Sequence, residues 1–247
     1  STSPLFYKNL VVMVLTVGNR GGVTVAYDCK TGELKYSEPR PVAPWTGRRH
    51  SGGHSSPVPA LSKGTPIILY NAIAAIEGIN PENGKVVWFA NSGGGYASMA
   101  VGSGIAYGDY ANIKWAGSAL ALDSLAAARG DITNTVKWHP PDVQSPPSDD
   151  LGHLSSPVIS DGYVFRAVLG GKVICCDAAS GKMMYSEKMD ASWIASPFAT
   201  ADGLIYFASS YITYVIKAGP QFELVATNEL DDGEFAAPYL HSWRPNG

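Results

Sequence analysis

Two cysteines stand side by side in "VICCDAASGKMMYSEK", Val173 to Lys188, directly ahead of an aspartate. Adjacent thiols can carry redox chemistry or cap a cofactor, so Cys175 and Cys176 are the first residues to weigh. A second cluster, "TGRRHSGGH", holds Arg48, Arg49, His50 and His54, a set that could bind an anion or, with His153, a metal ion. A solvated loop is the commoner use of such a stretch. Three cysteines in the whole chain are too few for a disulfide framework or a four-cysteine zinc site. The sequence has no G-x-S-x-G elbow, no H-E-x-x-H pair and no P-loop, and "GSGIAYG" from Gly102 lacks the spacing of a dinucleotide loop. These patterns assign no catalytic residue and no metal ligand.

The surroundings of the cysteines repeat elsewhere in the chain. "VAYDCKTGELKYSE", "AIEGINPENGKVVWFA" and "VICCDAASGKMMYSEK" each place a glycine four residues before an aromatic: Gly32 and Tyr36, Gly84 and Trp88, Gly181 and Tyr185. A degenerate copy, "LALDSLAAARGDITNTVKWHP", has Asp123 as the turn acid, an insertion, and Trp138 as the aromatic. A second element, a small residue followed by proline, recurs in "TSPLFY", "SSPVPA", "SSPVIS", "ASPFAT" and "AAPYLH" at Pro4, Pro57, Pro157, Pro197 and Pro238. The long gap between Pro57 and Pro157 contains "YASMAVGSG", which fills the place of a repeat that has lost its proline. A period of roughly 40 to 50 residues is that of four-stranded propeller blades.

One repeat can be read strand by strand. "SPVIS" is a short apolar strand, Asp161-Gly162 a tight hairpin turn, "YVFRAVL" an alternating strand, "KVICCD" the third and "KMMYSEK" the outer one. Cys175 and Cys176 then occupy the strand slot held by Val25-Ala26-Tyr27 and Ala75-Ile76 in other repeats, as small buried hydrophobes. The expected fold is all-β: a β-propeller of four-stranded antiparallel blades in a single domain, 1–247. The blades run over 1–46, 47–95, 96–148, 149–191 and 192–232, with a partial sixth over 233–247. Five blades and the start of a sixth make part of a seven- or eight-bladed ring. Its open blade edges would be covered by further residues, by a second chain or by both.

Composition narrows the partners. A net charge of −3 and a pI near 5.9 provide no basic field for nucleic acid. Apolar runs such as "LVVMVL" fall far short of the roughly 20 residues that span a bilayer. Within a propeller, the segments entering the inner strands converge near the axis. There Arg49, His54, Tyr96, His153, Trp193 and Phe235 form a candidate ligand rim.

"AYDCKTGELKY" and "CCDAASGKMMY" resemble the outer-strand signature A-x-D-x-x-T-G-K-x-x-W of the quinoprotein-like (PQQ-like) β-propeller repeats, and the later half of the chain is similar to the secreted bacterial type of PQQ-binding-like repeat protein. The resemblance implies an extracytoplasmic location, periplasmic or secreted. It leaves activity open, because the same repeat serves in quinoprotein dehydrogenases, in a lipoprotein of the outer-membrane assembly machine and in other exported proteins. In the dehydrogenases the vicinal cysteines precede Asn-Arg-Gly at the cofactor face, whereas Cys176 here runs into the turn "DAASG". The calcium-binding carboxylates and amide of those enzymes have no counterpart cluster. The expectation is therefore a non-catalytic exported scaffold, free of cofactor, that binds a protein, glycan or small ligand. The alternatives are a PQQ- and calcium-dependent or other oxidoreductase, or the propeller part of a larger enzyme.

Overall fold

The computed structural model describes residues 2–16, 22–40, 55–72, 75–91, 97–109, 117–140, 155–168, 171–191, 193, 195–209 and 211–229. These residues form five sheets in chain order. The first consists of β1 (Leu5–Tyr7), β2 (Leu10–Thr16), β3 (Gly22–Asp28) and β4 (Leu34–Pro39). The second holds β5 (Val58–Ser62), β6 (Thr65–Asn71), β7 (Ala75–Ile79) and β8 (Val86–Asn91). The third has β9 (Ala100–Gly102), β10 (Ile105–Asp109) and β11 (Gly117–Ala121). After β12 (Gly130–Asp131) come the fourth, β13 (Val158–Ser160), β14 (Tyr163–Val168), β15 (Lys172–Asp177) and β16 (Met183–Lys188), and the fifth, β17 (Phe198–Ala199), β18 (Leu204–Ala208), β19 (Ile212–Lys217) and β20 (Leu224–Glu229). Strands within the first, fourth and fifth sheets pair antiparallel in sequence order, as hairpins joined in series must.

The third sheet departs from the expected four strands. Its outer strand is reduced to one bridge, Ala119 to Trp138. The inserted segment between them turns through two short 3-10 helices and sends β12 to pair in parallel with β8 of the second sheet. Apolar burial drives that detour: Leu125 and Ile132 of the insertion sink into the core between the second and third sheets.

Two-residue hairpins close one end of the sheets. Lys63-Gly64, Ser103-Gly104 and Asp161-Gly162 all have positive φ at both residues, the geometry whose twist matches antiparallel strands. At the same end the third and fourth strands are joined by longer turns organised by an Asx side chain. Asp28 Oδ1 accepts hydrogen bonds from Lys30 N at 3.0 Å and Thr31 N at 2.9 Å, and Asp177 Oδ1 accepts from Ser180 N at 2.7 Å. The backbone bonds lower the Asp28 carboxyl pKa, and the Ser180 hydroxyl, donating to Asp177 Oδ1 at 2.6 Å, together with the Ser180 N–H lowers that of Asp177.

One register row runs across each sheet and explains the repeated aromatic. In the first four sheets it reads Leu5, Val12, Ala26, Tyr36; Val58, Leu69, Gly78, Trp88; Ala100, Tyr107, Ala119, Trp138; and Val158, Phe165, Cys175, Tyr185. The third position is small because the outer aromatic folds back over it. A Cβ on Gly78 would collide with the Trp88 indole. Cys175 therefore fills the slot that Ala26, Gly78 and Ala119 fill in the other sheets, and alternation along β15 turns Cys176 to the opposite face. Both are buried and neither forms a disulfide, while Cys29 is exposed. Burial pushes the Cys175 thiol up to about 12, so it stays protonated and unreactive at neutral pH.

Each outer aromatic reaches the next sheet. Tyr36 Oη donates to Pro81 O at 3.1 Å, Trp88 Nε1 to Leu125 O at 3.0 Å, and Trp138 Nε1 to Ala178 O at 3.0 Å. The Tyr185 ring meets Phe222 of the fifth sheet edge-on at 5.6 Å. Each ring thus buries a large apolar body between sheets, and in Tyr36, Trp88 and Trp138 the polar tip finds a backbone carbonyl.

Two outcomes follow from this packing. Trp88→Ala should lower stability by about 3 to 5 kcal/mol, the cost of deleting a large buried aromatic, and urea denaturation monitored by circular dichroism measures it. The pair Cys175→Ala with Cys176→Val should cost only about 1 to 3 kcal/mol, because it removes mainly packing and a weak thiol contact; a loss above that range in the same denaturation series would show that the thiols do more than fill space.

Candidate functional site

The end of the sheets opposite the hairpins is where the chain leaves the described strands for segments 41–54, 92–96, 110–116 and 141–154. Buried polar side chains line the strand ends there, each tying one sheet to the next. Arg40, just after β4, donates from Nε and Nη2 to Glu77 Oε2 of β7 at 2.9 and 2.6 Å. Its guanidinium also lies 4.6 Å above the Tyr70 ring of β6. Both members of the pair are almost wholly buried. Burial pushes the Glu77 carboxyl up, and the Arg40 guanidinium pulls against that shift and holds the carboxylate in place.

The second and third sheets are tied by Asn71, whose Nδ2 donates to Ala97 O at 3.0 Å and Asp109 O at 2.7 Å. The third and fourth are tied by a charge pair, Arg166 Nε donating to Asp109 Oδ1 at 2.9 Å, with Tyr107 Oη donating to the same oxygen at 2.6 Å. Burial raises the Tyr107 phenol well above its ordinary value, so it acts as a donor and not as a base. Beside it His139 Nδ1 lies 3.1 Å from Ser118 Oγ and 2.9 Å from Gly117 O. Between the fourth and fifth sheets Tyr214 Oη donates to Asp190 O at 3.2 Å.

A second device runs along the starts of the inner strands. Ser3 N donates to Ser56 Oγ at 3.0 Å, Ser56 N to Ser98 Oγ at 2.8 Å, Ser98 N to Ser156 Oγ at 3.0 Å and Ser156 N to Ser196 Oγ at 2.8 Å. Each of the first four sheets thereby satisfies a backbone N–H two residues ahead of its inner strand with a hydroxyl of the next. Ser98 belongs to "YASMAVGSG", so the repeat that lost its proline keeps its serine.

Of the expected rim, only Trp193 lies among the described residues; Arg49, His54, Tyr96, His153 and Phe235 lie outside them. Trp193 is fully buried, its ring 5.7 Å from Phe207 and 5.8 Å from Tyr214, within the core between the fourth and fifth sheets. Its Nε1 has no partner among the described residues. Sequence reasoning passed over Arg40, Glu77, Asp109 and Arg166. The available signal was a charge inside an apolar strand, as in "AIEGI" and "YVFRAV".

The cysteines do not fit a quinone cofactor. On a regular strand they face opposite ways: Cys175 Sγ lies 3.5 Å from Gly219 O toward the fifth sheet, and Cys176 pairs with Val164 on the side of the third. Neither presents a surface on which a ring could stack. Among the described residues no three His, Cys, Asp or Glu side chains gather to hold a metal ion, and no helix is long and apolar enough to cross a membrane.

No family model matches the chain, and no curated protein matches it. Solved structures do. The crystal structure of BamB from Moraxella catarrhalis is similar with a TM-score of 0.56 and 17% identity, over 89% of this chain and 58% of that one. The crystal structure of the computationally designed Ika8 protein is similar with a TM-score of 0.61 and 13% identity, over 92% of this chain and 61% of that one. The chain thus spans less than two thirds of the length of either. At these identities the likeness is one of fold: a β-propeller of the type that BamB has.

The ion pairs generate a prediction. Arg40→Met alone should destabilise by about 3 to 5 kcal/mol, because it strands a buried carboxylate, whereas Arg40→Met with Glu77→Leu should recover most of the loss. A double-mutant cycle in urea measures the coupling, and a double variant as unstable as the single would show that packing around Arg40, not the charge pair, is what matters.

Proposed function

We propose that this propeller is a non-catalytic scaffold that binds a protein partner outside the cytoplasm, and that it does so with the end of the sheets opposite the hairpins. One observation carries the reading: the buried charges and amides at that end, Arg40, Glu77, Asn71, Asp109 and Arg166, are engaged from sheet to sheet. They stiffen the platform from which the connecting segments depart, and a rigid scaffold under connecting segments is the usual arrangement for recognition. The rim residues Arg49, His54, Tyr96 and His153 belong to those segments, Phe235 follows the last described strand, and together they combine aromatic, cationic and imidazole groups suited to a protein surface. The BamB-like fold supports a protein-binding role.

Site-specific photocrosslinking tests this. A benzophenone side chain placed at His54 or at His153 should trap the same partner in the cell envelope, while one at Ser103, on a hairpin tip at the other end, should trap none. Equal products from both ends, or none from the rim positions, would overturn the reading. Incubation with PQQ and calcium, followed by desalting, should leave no quinone absorbance; a stoichiometric band would move the protein to the oxidoreductases.

A further inference from the structure

Three of the turns that join a third strand to a fourth are closed alike: Gly32 N donates to Asp28 O at 2.9 Å, Gly84 N to Asn80 O at 2.8 Å and Gly181 N to Asp177 O at 2.8 Å. The residue before each glycine caps the turn by accepting the N–H two positions on. Thr31 Oγ1 accepts from Glu33 N at 3.3 Å, Ser180 Oγ from Lys182 N at 3.3 Å and Asn83 Oδ1 from Lys85 N at 3.0 Å. In two turns a hydroxyl does this, and it brings no further chemistry. In the second sheet the same place holds an amide. Asn83 Cγ is an electrophile, and the next residue is a glycine, with no Cβ to keep its backbone nitrogen away from that carbon.

The first sheet stands over this turn. Asn83 is exposed, so base and water reach its amide, but Gly84 is buried. The Gly84 N–H is engaged by Asn80 O, and the Tyr36 ring lies within 2.6 Å of where a Gly84 Cβ would stand. Neighbouring atoms of the turn are held from the first sheet as well: Tyr36 Oη donates to Pro81 O at 3.1 Å, and Glu82 Oε1 accepts from Tyr7 Oη at 2.8 Å and from Lys8 Nζ at 2.7 Å. To reach Asn83 Cγ the Gly84 nitrogen must give up its proton and its hydrogen bond, and the glycine must swing through the space that the ring occupies.

We propose that Asn83 is a deamidation site gated by the joint between the first and second sheets, closed while Tyr36 is seated on the turn and reactive when the two sheets part. In the opened turn a base takes the Gly84 amide proton, the nitrogen bonds to Asn83 Cγ, and the side-chain nitrogen leaves as ammonia. Water then adds to either carbonyl of the succinimide and opens it to an aspartyl or an isoaspartyl residue. The isoaspartyl product runs the main chain through the former side chain and adds a backbone carbon before Gly84, so the turn no longer closes on Asn80 O with its glycine under the ring. Both products set a new carboxylate beside Glu82. An opening that reacts therefore leaves the joint permanently altered. The gate does not depend on what the scaffold binds.

The test is peptide mapping by mass spectrometry of the 247-residue chain held at alkaline pH. Amide deprotonation is faster there, and Tyr36, its phenol pushed up to about 12 by burial, keeps its proton. Mapping separates Asn83 from Asn246, the other asparagine followed by glycine. The folded chain should exchange the Asn83 amide for a carboxyl at least about tenfold more slowly than the urea-unfolded chain, since only opened molecules react. Tyr36→Ala should remove most of that protection, and Tyr36→Phe, which keeps the ring, should retain most of it. Asn83→Ser, with the acceptor that Ser180 uses, should leave the urea midpoint unchanged and abolish the exchange. Equal rates in the folded and unfolded chains would overturn the proposal, as would a folded Tyr36→Ala chain protected as well as the native one. Should Tyr36→Ala not fold, hydrogen exchange at the Gly84 amide of the native chain replaces it: its protection should match that of Asn83 within about threefold, and a larger mismatch would show that a different opening controls the reaction.

Discussion

The structure hangs on a single contact repeated between neighbours: an aromatic from the outer strand of one sheet, laid over a small residue of its own third strand, with its polar tip on a carbonyl of the next sheet. Sheets that radiate from a common centre touch at their inner strands and diverge outward, so the outer gap requires a large side chain while the inner one does not. The rows of the first four sheets show this gradient, ending in Tyr36, Trp88, Trp138 and Tyr185. In the fifth row it runs the other way, from Phe198 stacked on Tyr206 at 4.7 Å to Ala226. Phe198 is 57% exposed, so the forward face of the fifth sheet is shaped differently from the four that precede it.

Polar ties divide the labour with the aromatics. The aromatics act near the hairpin end, where backbone turns offer carbonyls. The serine relay and the charge pairs act at the opposite end, where the inner strands begin. Burying Arg40 with Glu77 and Arg166 with Asp109 costs desolvation that their mutual attraction only partly offsets. What such pairs add is geometry. A guanidinium held by a carboxylate and, for Arg40, by the face of Tyr70 fixes one sheet against the next in a way that interchangeable apolar contacts do not.

The repeat was legible in the sequence because it rests on backbone requirements. A glycine at positive φ, an Asx side chain that caps its own turn, and an aromatic four residues after the glycine leave clear marks in three copies, and the aromatic persists even in the degenerate one. Cys175 was legible in part: the sequence sets it level with Ala26, as the register does, but with Ala75-Ile76 in the second sheet, where the register places Gly78 instead. The third sheet was less so, since nothing in "SLAAARGDITNT" announces that Gly130 will pair with Trp88 in parallel. That pairing depends on where Leu125 and Ile132 find apolar cover.

The sequence by itself determined the strand order, the hairpins and the aromatic step, since each follows from local periodicity and turn chemistry within one repeat. Tertiary structure alone decided which residues of different repeats meet. It set Ser98 between Ser56 and Ser156, placed Arg166 against Asp109, drew Trp193 into the core, and covered the Gly84 and Gly181 turns with Tyr36 and Trp138. The physical reason is range: a turn is specified by residues a few positions apart, whereas a buried charge or a covered glycine is specified by a partner about one repeat away, whose presence only packing can reveal.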